Sequence, residues 1–544
     1  MAGMRDVDVL IAGGGPVGLS ASIFLSRLGV TSLLVERHPG TSIHPKARGI
    51  NARTMEILRQ SGVESAVRAA GLAPERSRFI VWARSLTGEE LERRVPWRSR
   101  PEALQISPVL RCLCAQDDLE PVLHAHAESL APGGLRFGTE LTDFRQDADH
   151  VVATLHGDGG EATVRARYLI AADGARSRVR ETLGIAMRGT AGIYRSINVL
   201  LNADLTPWTA DRPAALYFIE QPGLKATFLT INGANRWGFL VNNLPVDGPL
   251  DEYTPERCAA IVRQAAGVPD LAVEILGAVP WVAAAQVAER YGDGRVFLAG
   301  DAAHHMPPTG GFGLNTGVQD VHNLAWKVAA VVHGWAAPSL LASYERERRP
   351  VGRTITEQSL ANARSLGRGD PSTSTATSSD TLARPEFLNE LGMIFGAAYE
   401  SPAIIPDGTP APVVENPVTD YVPTGRPGGR APHVWLERAG TRRSTIDLFG
   451  DRFVLLAGVE APAWRDAATA AARALGAPLE AFTIGAGADL EDAEKRWADV
   501  YGVRLDGAVL VRPDGHVAWR CPDSPPEPGR ELERALARIL SRDG

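Results

Sequence analysis

Lysine is nearly missing from this chain, with four lysines against 53 arginines in 544 residues. No functional class follows from that imbalance alone. Cysteine is scarce too. Cys112, Cys114, Cys258 and Cys521 form no C-x-x-C pair and no metal-ligand spacing, which argues against a zinc site or a dithiol centre and suits reduced thiols in the cytoplasm. Cys112 and Cys114 alternate within an apolar run and read as buried strand residues. Long apolar runs are absent: none approaches the roughly 20 residues that a membrane-spanning helix needs. Met1 to Asp6 leads straight into a first strand, so no signal peptide is expected. Nor is there an excess of positive charge. The formal net charge of −7 argues against nucleic acid or an anionic membrane as the main partner.

What is present is ordinary in bulk, with 44% hydrophobic and 22% charged residues, and the length allows about three to four domains. The informative stretch is Val7 to Glu36. Val7 to Ala12 is an apolar run of the kind expected of a central parallel strand. Gly13, Gly15 and Gly18 follow in G-x-G-x-x-G spacing, with Pro16 and Val17 between them. Val17, Ala21, Phe24 and Leu28 recur at helical spacing, and Leu33 to Val35 forms a second strand that ends in Glu36. Each glycine has a physical job. Gly13 permits a tight turn, Gly15 lets the backbone approach a pyrophosphate, and Gly18 lets helix and strand pack closely. The helix start offers free N–H groups to phosphates, and Glu36 can accept hydrogen bonds from a ribose. Lys46, Arg48 and Arg53 then place positive charge close behind the dinucleotide fingerprint.

Two more stretches have the same logic. Tyr168 to Ala172 reads as a buried strand that delivers Asp173 and Gly174 into a short basic helix start containing Ser177 and Arg180. Arg295 to Ala299 is a strand that delivers Gly300 and Asp301 into a loop rich in proline and glycine, from Pro307 to Gly313. A long helix follows, with Val318, Val321, Ala325, Val328 and Val332 on one face. Asp301 can hydrogen-bond a polyol, and the helix start suits negative charge on a nearby ring. His304 and His305 are adjacent with no acid or cysteine at ligand spacing, so no metal is expected. Between these stretches, from about Arg188 to Pro280, short alternating runs predict a mostly antiparallel sheet. Its aromatics Tyr217, Phe218, Phe228, Trp237 and Phe239 are candidates to line a pocket for an apolar ligand.

Together these three stretches resemble the FAD-dependent aromatic hydroxylases of the p-hydroxybenzoate hydroxylase type. The closer likeness is to the aromatic polyketide hydroxylases that act on tetracenomycin, aklavinone and angucycline rings. It rests on Glu36 to Gly40, Gly49 to Glu56, Gln116 to Pro121 and Gly310 to Lys327. The resemblance implies FAD contacts from the fingerprint and Glu36, and also from Arg37, Lys46, Arg48, Gln116, the Leu141 backbone, Asp173, Gly174, Asp301, Pro308, Gly311, Gly313, Leu314 and Asn315. It implies NADPH as co-substrate without a separate domain for it, and hydroxylation by O₂ through a flavin hydroperoxide. Tyr217 is the candidate general base or acid, and Phe228, Trp237 and Phe239 are candidate substrate contacts.

The implied architecture is α/β with α+β. A Rossmann-like FAD-binding domain spans 1–187 and returns at 286–400, and an antiparallel substrate domain spans 188–285. A Ser/Thr/Gly-rich loop at 367–384 is expected to be mobile, and 401–432 reads as a linker. Residues 433–544 resemble the thioredoxin-like C-terminal domain of the same hydroxylases, without C-x-x-C. A monomer or homodimer is expected. A Baeyer–Villiger oxygenase or epoxidase on the same scaffold would read alike, as would an oxygenase of smaller phenols. A flavin halogenase would need a W-x-W-x-I-P signature, which is absent. The middle sheet offers few charges to clamp a small carboxylate, so a neutral, multi-ring phenol or quinone is expected.

Overall fold

The computed structural model describes residues 5–96, 100–244, 252–368, 386 and 388–542, so the expected mobile loop at 367–384 lies almost wholly outside the described residues. The chain enters the core through β1 (Arg5–Ala12), and α1 (Pro16–Arg27) follows with proline at its first position, where no N–H is needed. Gly29, at φ +72°, turns it into β2 (Ser32–Glu36). Asn51 caps α2 (Ala52–Gln60) by accepting the Thr54 N–H at 2.9 Å. The chain then leaves this layer as β3 (Phe79–Ala83) and β4 (Glu90–Arg94), and comes back with α3 (Gln116–Leu130). Two strands follow, β5 (Leu135–Phe137) and β6 (Thr139–Gln146), separated by Gly138 at φ +68°. Strands β7 (Val151–Gly157) and β8 (Gly160–Ala171) complete the first pass.

A second layer is built from β9 (Arg195–Asn202), β10 (Ala214–Gln221), β11 (Leu224–Thr230), β12 (Arg236–Leu244), α4 (Pro255–Ala266) and β13 (Glu274–Val282). The first layer is rejoined by β14 (Val296–Leu298), α5 (Gly313–Val332) and α6 (Ala342–Ser365). The C-terminal unit holds β15 (Phe453–Gly458), α7 (Ala463–Leu475), β16 (Leu479–Ile484), β17 (Ala508–Val511), β18 (Val517–Cys521) and α8 (Pro528–Ile539).

In the first sheet β14, β8, β1, β2 and β5 are parallel neighbours in that order. Val9, Leu10 and Ile11 are wholly buried, as a strand covered on both faces must be. Helix α1 packs between α3 and α5 over this sheet. The second sheet runs β13-β9-β12-β11-β10-β3-β4 and is antiparallel except where β10 meets β3. It therefore draws two strands from before residue 100, so the boundaries 188–285 do not enclose it. The order β16-β15-β17-β18, with only the first pair parallel, is a thioredoxin-like arrangement.

The C-terminal unit is joined to the first by buried charge. Arg430 donates to Glu56, which also accepts from Arg53 at 3.0 Å. Arg512 grips Glu347 through two bonds of 2.7 and 2.9 Å, and Lys327 donates to the same carboxylate at 2.7 Å. The stretch 401–432 is no free tether, since Ser401 donates to Glu347 and Arg430 is buried on Glu56. Removing one member of such a cluster leaves an uncompensated buried charge, at a cost of about 3–5 kcal/mol.

Candidate active site

The three stretches singled out in the sequence lie side by side. Ala12 at the end of β1 is the register partner of Ala171 at the end of β8, which in turn partners Leu298 at the end of β14. Three loops thus leave neighbouring parallel strands at their carboxyl ends, which is where open α/β sheets bind ligands.

Gly13 has φ +108°, and a Cβ there would lie 2.2 Å from the Ala172 carbonyl oxygen, so the first loop is locked against the second. A Cβ on Gly18 would lie 1.9 Å from the Gly13 oxygen, so helix and strand touch. Gly15 differs. A Cβ there would meet only a Glu120 oxygen, 4.0 Å away, so the bare backbone faces open space of the kind a pyrophosphate fills. The Glu36 carboxylate accepts the Gly14 N–H at 2.7 Å and the His38 N–H at 2.9 Å. Burial alone would raise its pKa, but these donors outweigh that and hold it below the usual carboxylate range. An ionised acceptor therefore stands at the end of β2, beside the exposed Arg37.

Asp173 accepts the Val179 N–H at 3.2 Å, and burial raises its pKa. Its other carboxylate oxygen is buried with no hydrogen-bond partner among the described residues. Gly174 follows at φ +83° with nothing near its Cβ position. In the third loop Asp301 is exposed, and its carboxylate makes no hydrogen bond among the described residues. Pro308 is exposed, and Gly311, at φ +69°, faces open space. The N–H groups of Gly313, Leu314 and Asn315 open α5, where a helix leaves its first donors unpaired. The Asn315 side chain is already committed: it donates to Gly49 O at 2.8 Å and Gly311 O at 2.7 Å, and accepts from Asn51 N at 2.9 Å. Its backbone is the part left available to a ligand.

Gln116 and the loop before α2 support one another. Gln116 Oε1 accepts from Ala47 N at 3.3 Å, Gln116 Nε2 donates to Glu120 at 2.6 Å, and Glu120 accepts from Ser42 N at 2.5 Å. Lys46 is exposed on that loop. Arg48 is turned the other way and donates to Thr230 O at 2.9 Å and Ala215 O at 2.6 Å. It ties the loop to the second sheet, so its expected place on the cofactor is corrected. Arg53 is buried on Glu56 and Asp514 O, far from a ligand-facing role. Leu141 lies on β6 beside a bulge, packed against the main core.

The second sheet reverses another expectation. Tyr217, Phe228, Trp237 and Phe239 all point to the face that α4 covers, packed with Cys258, Val262 and Ala265. The Tyr217 hydroxyl donates to Arg212 O at 2.9 Å and accepts from Ala214 N at 3.0 Å, and burial pushes its pKa up to about 12. Tyr217 is thus a satisfied core residue, not a general base, and the three aromatics are core and not substrate contacts. The face turned toward the flavin loops carries Leu216, Leu229, Leu240 and Asn198, all half-buried. The register pairs Leu216 with Leu229, and Leu240 with Asn198. Asn198 Nδ2 reaches Pro45 O at 3.5 Å, so this face meets the loop that carries Lys46.

Residues 6–359 match the family described as FAD binding domain, and residues 424–542 match the aromatic-ring hydroxylase C-terminal domain. The chain belongs to the FAD-dependent aromatic-ring hydroxylases. It is 39% identical to the tetracenomycin A2 monooxygenase-dioxygenase of Streptomyces glaucescens, over 99% of this chain and 97% of that one. It is similar to the flavin-dependent monooxygenase PieE, solved with FAD and substrate: TM-score 0.92, 37% identity, 99% of each chain covered. It is also similar to aklavinone-11 hydroxylase, solved with FAD and aklavinone: TM-score 0.88, 38% identity, 100% of each chain covered.

As a hydroxylase of this family the chain presents loops that fit FAD, in the space left at Gly15 and Gly311 and in the unpartnered Asp301 carboxylate. Behind them stand residues the sequence did not reveal. Asp320 on α5 is fully buried and accepts from Gly300 N, His304 Nε2 and Arg348 Nε. Its only sequence signal is an acid on the buried side of an apolar helix. Among the described residues no cluster could hold a metal ion, and no helix is long and apolar enough to cross a membrane.

Proposed function

We propose that this hydroxylase acts on a neutral, multi-ring phenol and uses NADPH and O₂. The observation that carries the reading is the set of FAD loops at the ends of β1, β8 and β14, with the loop before α2 tied through Arg48 and Pro45 to the second sheet that carries the half-buried leucines. Bound FAD supplies hydride acceptance and oxygen activation. The chain's own residues bind and orient. Asp301 accepts hydrogen bonds from a polyol, the α5 start faces developing negative charge, and Leu216, Leu229 and Leu240 exclude water around the ring. The substrate unit comprises 188–285 together with β3 and β4. The relatives named for aklavinone and tetracenomycin support a polycyclic substrate. All four cysteines are free, which fits a reducing cytoplasm, and a monomer or homodimer suffices for the site.

Coupled turnover under identical conditions tests this. A fused-ring phenol should gain one oxygen atom per NADPH consumed, faster than a p-hydroxybenzoate-sized acid. Faster and better-coupled hydroxylation of the small acid would overturn the reading.

A further inference from the structure

We infer that Asn198 sets specificity, its carboxamide oxygen accepting a hydrogen bond from a hydroxyl on a flat polycyclic phenol. This rests on the functional reading above.

Cross-strand register lays two rows over the wall that faces the flavin loops. One runs Leu216, Leu229, Gly238, Leu200, and the other runs through Thr227 and Leu240 to Asn198. Gly238 adds no side chain to its row, and Leu229 packs down over it, its Cβ 3.3 Å and its Cδ1 3.6 Å from the position a Cβ at 238 would take, so the row is a low apolar shelf. A shelf of that shape suits a planar ring system and offers it dispersion contact without hydrogen bonds. Two polar side chains interrupt these rows. Thr227 is 1% exposed, and its hydroxyl already accepts from Asn242 Nδ2 at 3.1 Å. Asn198 is half-buried at the seam between the sheet and the loop that carries Lys46.

Chemistry fixes which way its amide is turned. The Pro45 carbonyl can only accept, so Nδ2 must be the atom directed at it, 3.5 Å away. Oδ1 is left on the other side, with no hydrogen-bond partner among the described residues. An acceptor at the rim of an apolar shelf selects a ligand that donates. A phenolic O–H satisfies it. A carboxylate, a methyl ether or a quinone oxygen would set acceptor against acceptor and leave both unpaired in a site cleared of water.

The test removes the bond from each side in turn. Fused-ring phenols and their single methyl ethers are turned over by the unaltered holoenzyme and by Asn198→Leu, with Asn198→Ala as a second variant of smaller volume. In the unaltered enzyme, methylating the contacted hydroxyl should lower kcat/KM about tenfold and release more NADPH electrons as hydrogen peroxide. In either variant the phenol should already be poorer by about the same factor, and methylation should cost almost nothing further. Equal methylation penalties in the unaltered enzyme and both variants would overturn the role of Asn198 while leaving the hydroxylase reading intact. No turnover of any fused-ring phenol by the unaltered enzyme would overturn that reading, and the inference with it.

Discussion

Asp320 accepts the Gly300 N–H at 3.2 Å, so helix α5 holds the very turn that precedes it. Gly300 sits at φ +59°, and Gly317, one turn ahead of Asp320, is so near that a Cβ there would lie 2.9 Å from the Gly300 Cα. Arg348 and His304 donate to the same carboxylate, at 2.8 and 2.7 Å. Asp301 is thus aimed by a rigid, buried framework, although its own side chain is exposed.

That arrangement separates binding from folding. Asp301→Ala deletes an exposed carboxylate and should leave the melting temperature of the FAD-free chain unchanged. If the carboxylate holds a polyol of FAD, the lost charge-assisted bond is worth about 1.5–3 kcal/mol, or roughly ten- to a hundredfold in affinity. Titration of the stripped protein with FAD, followed by flavin fluorescence, measures it. An affinity equal to that of the unaltered chain would remove Asp301 from the cofactor site.

Tyr217→Phe should behave in the opposite way. It breaks the bond to Arg212 O and leaves the buried Ala214 N–H without its acceptor, which costs about 1–3 kcal/mol of stability. Turnover should stay within about twofold, because the hydroxyl faces α4 and its raised pKa keeps it protonated at neutral pH. A hundredfold fall in kcat with the melting temperature unchanged would restore Tyr217 to the chemistry.

The contrast shows where sequence reasoning reaches its limit. The FAD fingerprint was legible because turn, helix and strand must follow one another locally, and Gly13, Gly15 and Gly18 each stand where that local geometry demands. Strands β9 to β12 of the second sheet were legible to within a few residues for the same reason, whereas β3 and β4, which come from before residue 100, were not. Which face of them meets the substrate was not. Leu216, Leu229 and Leu240 on one face are as apolar as Tyr217, Phe228 and Phe239 on the other, so alternation defines two faces without ranking them. Only the packing of α4, the helix between β12 and β13, decides, and the alternation within each strand does not report it. Arg48 looked like a cofactor ligand for a similar reason: nothing near it in sequence announces the Ala215 and Thr230 carbonyls that claim its guanidinium. The joint of Glu347, Lys327 and Arg512 brings together residues from three distant segments and was likewise invisible.

That joint should govern acid stability. Burial alone would raise the pKa of Glu347 and Asp514, but the Arg512 charge outweighs it and holds both below the ordinary carboxylate value. A carboxylate whose pKa is depressed by folding stabilises the fold fully above its unfolded pKa, about 4, and loses that contribution as pH falls toward the folded value. The melting temperature should therefore hold between about pH 7 and pH 5 and fall steeply below about pH 4. Glu347→Gln should destabilise the fold already at neutral pH, by about 3–5 kcal/mol, since Arg512 and Lys327 lose their shared counter-charge. Calorimetry across this range decides, and a melting temperature at pH 3 equal to that at pH 7 would refute the assignment.

Cys521 is half-buried, its thiol donates to Asp523 O at 3.0 Å, and burial raises its pKa. Cys521 has no C-x-x-C partner, and the next cysteine in the sequence is Cys258. Cys521→Ser should leave NADPH consumption and product yield unchanged. Loss of turnover with the visible flavin spectrum intact would instead show a redox role.

The fingerprint glycines allow a sharper division of labour than any charged residue. Gly15 has φ −74°, a backbone any residue adopts, and a Cβ there would approach nothing nearer than a Glu120 oxygen at 4.0 Å. Gly15→Ala should therefore fold as well as the unaltered chain, and replacing glycine even trims the entropy of the unfolded state. What the methyl fills is the space a pyrophosphate would need, so the purified protein should be colourless or nearly so, with FAD affinity reduced at least about tenfold. Gly18→Ala should fail differently. Its methyl would sit 1.9 Å from the Gly13 oxygen, forcing α1 away from β1 and costing stability whether or not FAD is present. Melting temperatures of the FAD-free proteins, set beside FAD titrations, separate the two outcomes. A Gly15→Ala protein that stays fully yellow would mean the phosphates do not pass over Gly15, and the cofactor path along the ends of β1, β8 and β14 would have to be redrawn.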